Sequence, residues 1–71
     1  LRSNPKGVRV ADACRIAELL GFNEKGGKGR HRVFARSGEV TLLNFQDRGD
    51  GKIPTYQARQ LIAMLDKYGE P

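Results

Sequence analysis

The chain has 71 residues, enough for one domain but too few for a deep cofactor cavity. It carries 13 Lys and Arg against 8 Asp and Glu, a formal net charge of +5, and a single cysteine, which excludes an internal disulfide. No apolar run approaches the roughly 20 residues of a membrane helix, and no signal-peptide pattern is visible; with one unpaired thiol this fits a cytoplasmic chain.

Residues 1–7 read as a loose arm and 8–71 as a single domain. Val10, Ala13, Ala17 and Leu20 recur at helical spacing and predict a first helix, with Asp12 in its first turn and Gly21 as its stop. Cys14 falls on that apolar stretch without an activating partner and reads as a core thiol. Phe22 should turn back onto the core, and a short strand is expected near 22–25, followed by a glycine turn. His31 to Arg36 alternates as a strand: His31, Val33 and Ala35 share one face, and Arg32, Phe34 and Arg36 the other. Ser37-Gly38 is a turn signal. Val40 to Gln46 is the next expected strand, giving Leu43 and Phe45 to the core.

Asp47 to Lys52 is charged and interrupted by Gly49 and Gly51, so it reads as a loop. Pro54-Thr55 then opens a second helix, with Thr55 as its expected N-cap. Ala58, Leu61, Ile62, Leu65 and Tyr68 form its apolar stripe, and Tyr56 and Tyr68 read as packing residues. The expected fold is therefore α+β, in the order α-β-β-β-α. An antiparallel three-stranded sheet with both helices on one face covers both apolar stripes and leaves the other sheet face open.

The charge is unevenly placed. Lys25, Lys28, Arg30, Arg32 and Arg36 fall between positions 25 and 36, where there is no acid, and the remainder of the chain balances. Such a cluster suits a polyanion, nucleic acid above all. His31, the single histidine, sits among these cations at the start of a strand. A neutral imidazole there can accept a proton as general base, and the adjacent cations Lys28, Arg30 and Arg32, with Gly29, could hold a phosphate. In RNA the 2′-hydroxyl is the proton donor this chemistry needs, with no metal or cofactor required. One histidine and one distant cysteine offer no metal-ligand set. The P-loop pattern is absent, and Gly26-Gly27-Lys28-Gly29 matches the GxxG of KH domains but lies between strands rather than helices.

The order of these elements resembles the HicA (YcfA-like) toxin family. The resemblance rests on Leu20-Gly21-Phe22 at the end of the first helix, on Gly29-Arg30-His31 at a strand start with Phe34 three residues on, and on Leu42-Leu43-Asn44-Phe45-Gln46. That last stretch leads through a loop to Tyr56-Gln57-Ala58-Arg59-Gln60-Leu61. The resemblance covers Val8 to Tyr68. It implies a fold like that of double-stranded-RNA-binding domains and a ribosome-independent mRNA endoribonuclease with His31 as catalytic residue. It also implies a HicB-like antitoxin protein as partner. The residue before the histidine is Arg30, where the family has Ser or Thr. The competing expectation is a non-catalytic RNA-binding module of the same fold. Against it, Thr55 to Arg59 holds one cation, where double-stranded-RNA binders place a lysine cluster.

Overall fold

The computed structural model describes residues 6–26 and 31–69. Its elements are α1 (Val10–Leu19), β1 (Asn23–Gly26), β2 (His31–Ala35), β3 (Leu43–Gln46) and α2 (Thr55–Tyr68). The strands form one antiparallel sheet in the order β1-β2-β3, so the α-β-β-β-α expectation holds. Of the arm expected over 1–7, Lys6 and Gly7 form a turn and the rest lies outside the described residues.

Alternation along the strands decides which side of the sheet the helices cover. Phe34, Leu43 and Phe45 are fully buried, and Phe34 lies opposite Leu43 in the β2–β3 register. They meet Ala13, Cys14 and Ala17 of α1 and Ala58, Leu61 and Met64 of α2 in one core. Phe22 turns back into that core, as its place after Gly21 predicts. Val8 and Ile53 are buried beside each other because Arg9 bridges Lys52: the Ile53 amide donates to Val8 O at 3.0 Å and the Val10 amide to Gly51 O at 2.9 Å. The Asp47–Lys52 loop is shaped for this contact by Asp47, whose Oδ1 accepts from the Gly49 and Gly51 amides at 2.7 and 2.9 Å.

α1 ends on a glycine because the chain must reverse there. Gly21 adopts φ +91°, its amide donates to Glu18 O and the Phe22 amide to Ala17 O, so two end carbonyls find partners. A third is taken by Arg36, whose Nε donates to Leu20 O at 2.9 Å. The guanidinium then stacks 3.8 Å above the ring of Tyr68, which meets Phe22 edge-on. A cation at a helix C-terminus also complements its dipole. Tyr68 Oη donates to Glu39, which accepts as well from Lys67 Nζ at 2.7 Å and the Thr41 amide at 3.0 Å. One polar chain thus ties the end of α1, the β2–β3 connection and the end of α2.

Four expectations are corrected. β3 starts at Leu43 rather than Val40, because Glu39 holds Thr41 and turns the connection away from the sheet; Val40 and Leu42 are exposed. Thr55 is the first helical residue rather than the cap: Pro54 occupies the cap position without a side-chain bond, and its carbonyl accepts from Gln57 and Ala58. The buried line of α2 runs through Gln57, Ala58, Leu61 and Met64, so Ile62 and Leu65 sit half-buried at its side instead of in its centre. Tyr56 is exposed, since position 56 falls off that line.

The Glu39 cluster has a testable pH signature. Its side chain is 2 % exposed, and Lys67, then Tyr68 and the Thr41 amide, push its carboxyl from an ordinary 4.5 down to about 2. A depressed carboxyl favours the folded state above the ordinary value and loses that contribution as pH falls through the folded one. Urea midpoints should therefore drop between pH 4.5 and 2, and Glu39→Gln should be less stable at neutral pH with a flatter profile across that window. Equal slopes for the two proteins would show that Glu39 is not the linked group.

Candidate functional site

The register that buries Phe34, Leu43 and Phe45 also fixes what faces the other way. His31 lies opposite Gln46 and Val33 opposite Asn44, all one residue out of phase with the core positions. They point to the sheet face that neither helix covers. His31 is exposed at the first residue of β2, on the face expected of it.

The basic cluster read along the chain divides in space. Lys28, Gly29 and Arg30 lie outside the described residues. Lys25 is exposed at an irregularity in β1, where the pairing with β2 passes from Glu24 to Gly26. Arg32 points to the helix side of the sheet and is held at both ends of its fork by Glu24. Nε donates to Oε2 at 2.9 Å and Nη2 to Oε1 at 2.7 Å. This bond holds the Glu24 carboxyl below the ordinary carboxylate range and drives the Arg32 guanidinium still further up. Arg36 caps α1 and stacks on Tyr68. Two of the described cations therefore tie the fold together, and Arg32 is not brought beside His31. Glu24 stands one residue before the acid-free stretch, which is why a count along positions 25–36 overlooks it.

Three residues that lie in the stretches carrying the resemblance, but to which the sequence assigns no site role, surround the histidine's end of the sheet. Gln46 is exposed and directly across from His31. Gln57, in the first turn of α2, is 2 % exposed, and its Oε1 accepts from the Gln46 amide at 2.8 Å. It fixes the last residue of β3 to the helix, beyond what the sheet ladder provides. Asn44 is half-buried on the open face, and its Oδ1 is buried with no hydrogen-bond partner among the described residues. A signal for Gln57 was present, since 57, 61, 64 and 68 continue one helical line. Asn44 and Gln46 alternate in phase with the open face of the neighbouring strand.

Cys14 is buried and its thiol is pushed up by that burial, so it is a core group and no nucleophile. Among the described residues, no three His, Cys, Asp or Glu side chains come together as a metal-binding set. No described helix is long and apolar enough to cross a membrane. What the open face offers chemically is an exposed imidazole flanked by amides on a rigid antiparallel frame.

The Gln57 clamp predicts a local effect. Gln57→Leu should leave the fold intact but free the Gln46 amide, raising its hydrogen-exchange rate by roughly 2- to 13-fold, as expected for a bond worth about 0.5–1.5 kcal/mol. An unchanged rate for Gln46, measured by NMR alongside the β2 amides, would remove the clamp. No protein-family model, no curated protein and no solved structure matches the chain.

Proposed function

We propose that this chain is an RNA endonuclease of the HicA toxin kind, with His31 as its catalytic residue. The observation that carries the reading is the exposed imidazole at the start of β2, on the sheet face opposite both helices. The α-β-β-β-α order supports it, being the order that the resemblance implies, and so does the concentration of cations next to His31 in sequence. A surface site suits RNA, whose single strands can lie across an open sheet and present their 2′-hydroxyls.

The chemistry needs few groups. His31 takes the proton of a 2′-hydroxyl, the O2′–P bond forms, and the P–O5′ bond breaks. The products are a 2′,3′-cyclic phosphate and a 5′-hydroxyl, the leaving oxygen taking its proton from water. Lys28 and Arg30, three and one positions before His31, supply positive charge for the phosphate. In this reading the RNA is mRNA in the cytoplasm, the fold is of the double-stranded-RNA-binding-domain type, and a HicB-like antitoxin restrains the enzyme by covering the open face.

His31→Ala should lower RNA cleavage by about 10²–10⁴-fold while retaining the circular dichroism of the wild type. Equal cleavage by the two folded proteins would remove His31 from the mechanism. Binding without any cleavage by either protein would favour the non-catalytic RNA-binding module instead.

The cations separate in a salt titration. Arg30→Ser, which restores the family's usual small hydroxyl residue, should flatten the log–log salt dependence of single-stranded RNA binding by about 0.7, the share of one phosphate contact. Arg32→Gln should leave that slope unchanged, because Arg32 is engaged by Glu24 on the other side of the sheet. A flattened slope for Arg32→Gln would show that the ion pair opens to bind RNA, and an unchanged slope for Arg30→Ser would remove its phosphate contact.

A further inference from the structure

His31 shares its sheet face with two amides that no core contact requires there. Gln46 is directly opposite it, and Asn44 lies one step along β3, opposite Val33. Opposed Cβ atoms in an antiparallel pair are about 5 Å apart and diagonal neighbours about 7–8 Å. Both amides therefore stand within the span of a single nucleotide from the imidazole.

Two observations set these amides apart from ordinary surface residues. Gln46 is exposed at its side chain but immobilised at its backbone, where its amide donates to the buried Gln57 at 2.8 Å. A buried amide is unfavourable unless bonded, and an apolar side chain would fill the same place in the helix line. What Gln57 provides that an apolar residue cannot is a strand end held still across from His31. Asn44, in turn, keeps a buried Oδ1 with no hydrogen-bond donor among the described residues. Buried acceptors left in this state are uncommon, and a turn of the Asn44 amide toward the open face would give both of its polar atoms partners on a bound base.

We propose that Gln46 and Asn44 determine which RNA sites are cut. They read the edge of the base next to the scissile phosphate while His31 works on its ribose. An amide offers one donor and one acceptor side by side. Every unpaired base shows such a complementary edge, an amino group beside an accepting ring nitrogen in adenine and cytosine and a ring N–H beside a carbonyl in uracil and guanine, so the choice among them is set by where the two amides stand. Single-stranded RNA is the substrate form that exposes such edges. This inference rests on the ribonuclease reading above and adds to it the specificity-determining residues.

The test is cleavage of a random-sequence single-stranded RNA pool by the whole chain, with the cut ends sequenced. Wild type should favour one base over the others at one position flanking the cut by at least about fivefold, within the roughly 5- to 150-fold that a good amide–base pair discriminates. Gln46→Ala and Asn44→Ala should erase most of that preference, and Asn44→Asp, which keeps the acceptor, should retain more of it than Asn44→Ala. Gln46 is exposed, so Gln46→Ala tests the idea even where an Asn44 variant fails to fold. A flat wild-type profile, or Gln46→Ala cutting more slowly at every site with its profile unchanged, would overturn the inference while leaving the ribonuclease reading standing. A wild type that cuts no RNA would overturn both.

Discussion

The pairing of β2 with β3 is the constraint on which the rest of the molecule depends. Phe34 opposite Leu43, and Arg32 opposite Phe45, place three fully buried apolar side chains on one side of a sheet only three strands wide. Because side chains alternate with a period of two, a slip of one residue would expose that set and bury His31, Asn44 and Gln46 in its place. The same register that makes the core therefore makes the open face. A chain of 71 residues has little apolar surface to spare, so such a slip would remove most of what stabilises it. Core and candidate site are two readings of one alternation.

Small domains need more than one core to hold their ends, and here polar clamps supply the difference. At one end, Arg36 joins the last turn of α1 to Tyr68, and Tyr68 joins Glu39 and the β2–β3 connection. At the other, Gln57 holds the Gln46 amide, and the bridge between Arg9 and Lys52 seats Val8 and Ile53. Apart from the Arg9–Lys52 bridge, which is made by backbone groups alone, each clamp uses a side chain that could pass for surface decoration in the sequence. Each also ends on a backbone atom or a shielded carboxylate, where a hydrogen bond is not lost to water. The second end is where the imidazole sits, so rigidity is supplied where a reacting group would need it.

The elements themselves were legible because they follow periodic patterns. The helical spacing from Val10, the alternation from His31 and the glycine after Leu20 each correspond to an element or a stop within a residue or so. The placement of His31 on the uncovered face followed from the same alternation. What sequence could not show was long-range pairing between polar groups. Glu24 and Arg32 are eight positions apart and Glu39 and Lys67 twenty-eight, and no local period relates them. For that reason a run of cations looked like one patch, although Arg36 belongs to a helix cap and Arg32 to an ion pair. The late start of β3 has the same origin, since Glu39 draws the connection toward α2. The burial of Gln57 was not legible because a polar side chain on a helix's apolar line reads as a boundary of that line rather than as part of it.

For function, the central claim is that substrate lies on the uncovered sheet face and not along the helices. Binding of single-stranded RNA whose 2′-hydroxyls are methylated, and which therefore cannot be cut by 2′-oxygen attack, isolates that claim from catalysis. Followed by amide and imidazole NMR shifts, it should perturb His31, Val33, Asn44 and Gln46 most strongly and leave the outer faces of α1 and α2 unmoved. Perturbations centred on exposed helix residues such as Arg15 and Arg59, with the signals of His31 and Gln46 unchanged, would contradict the account.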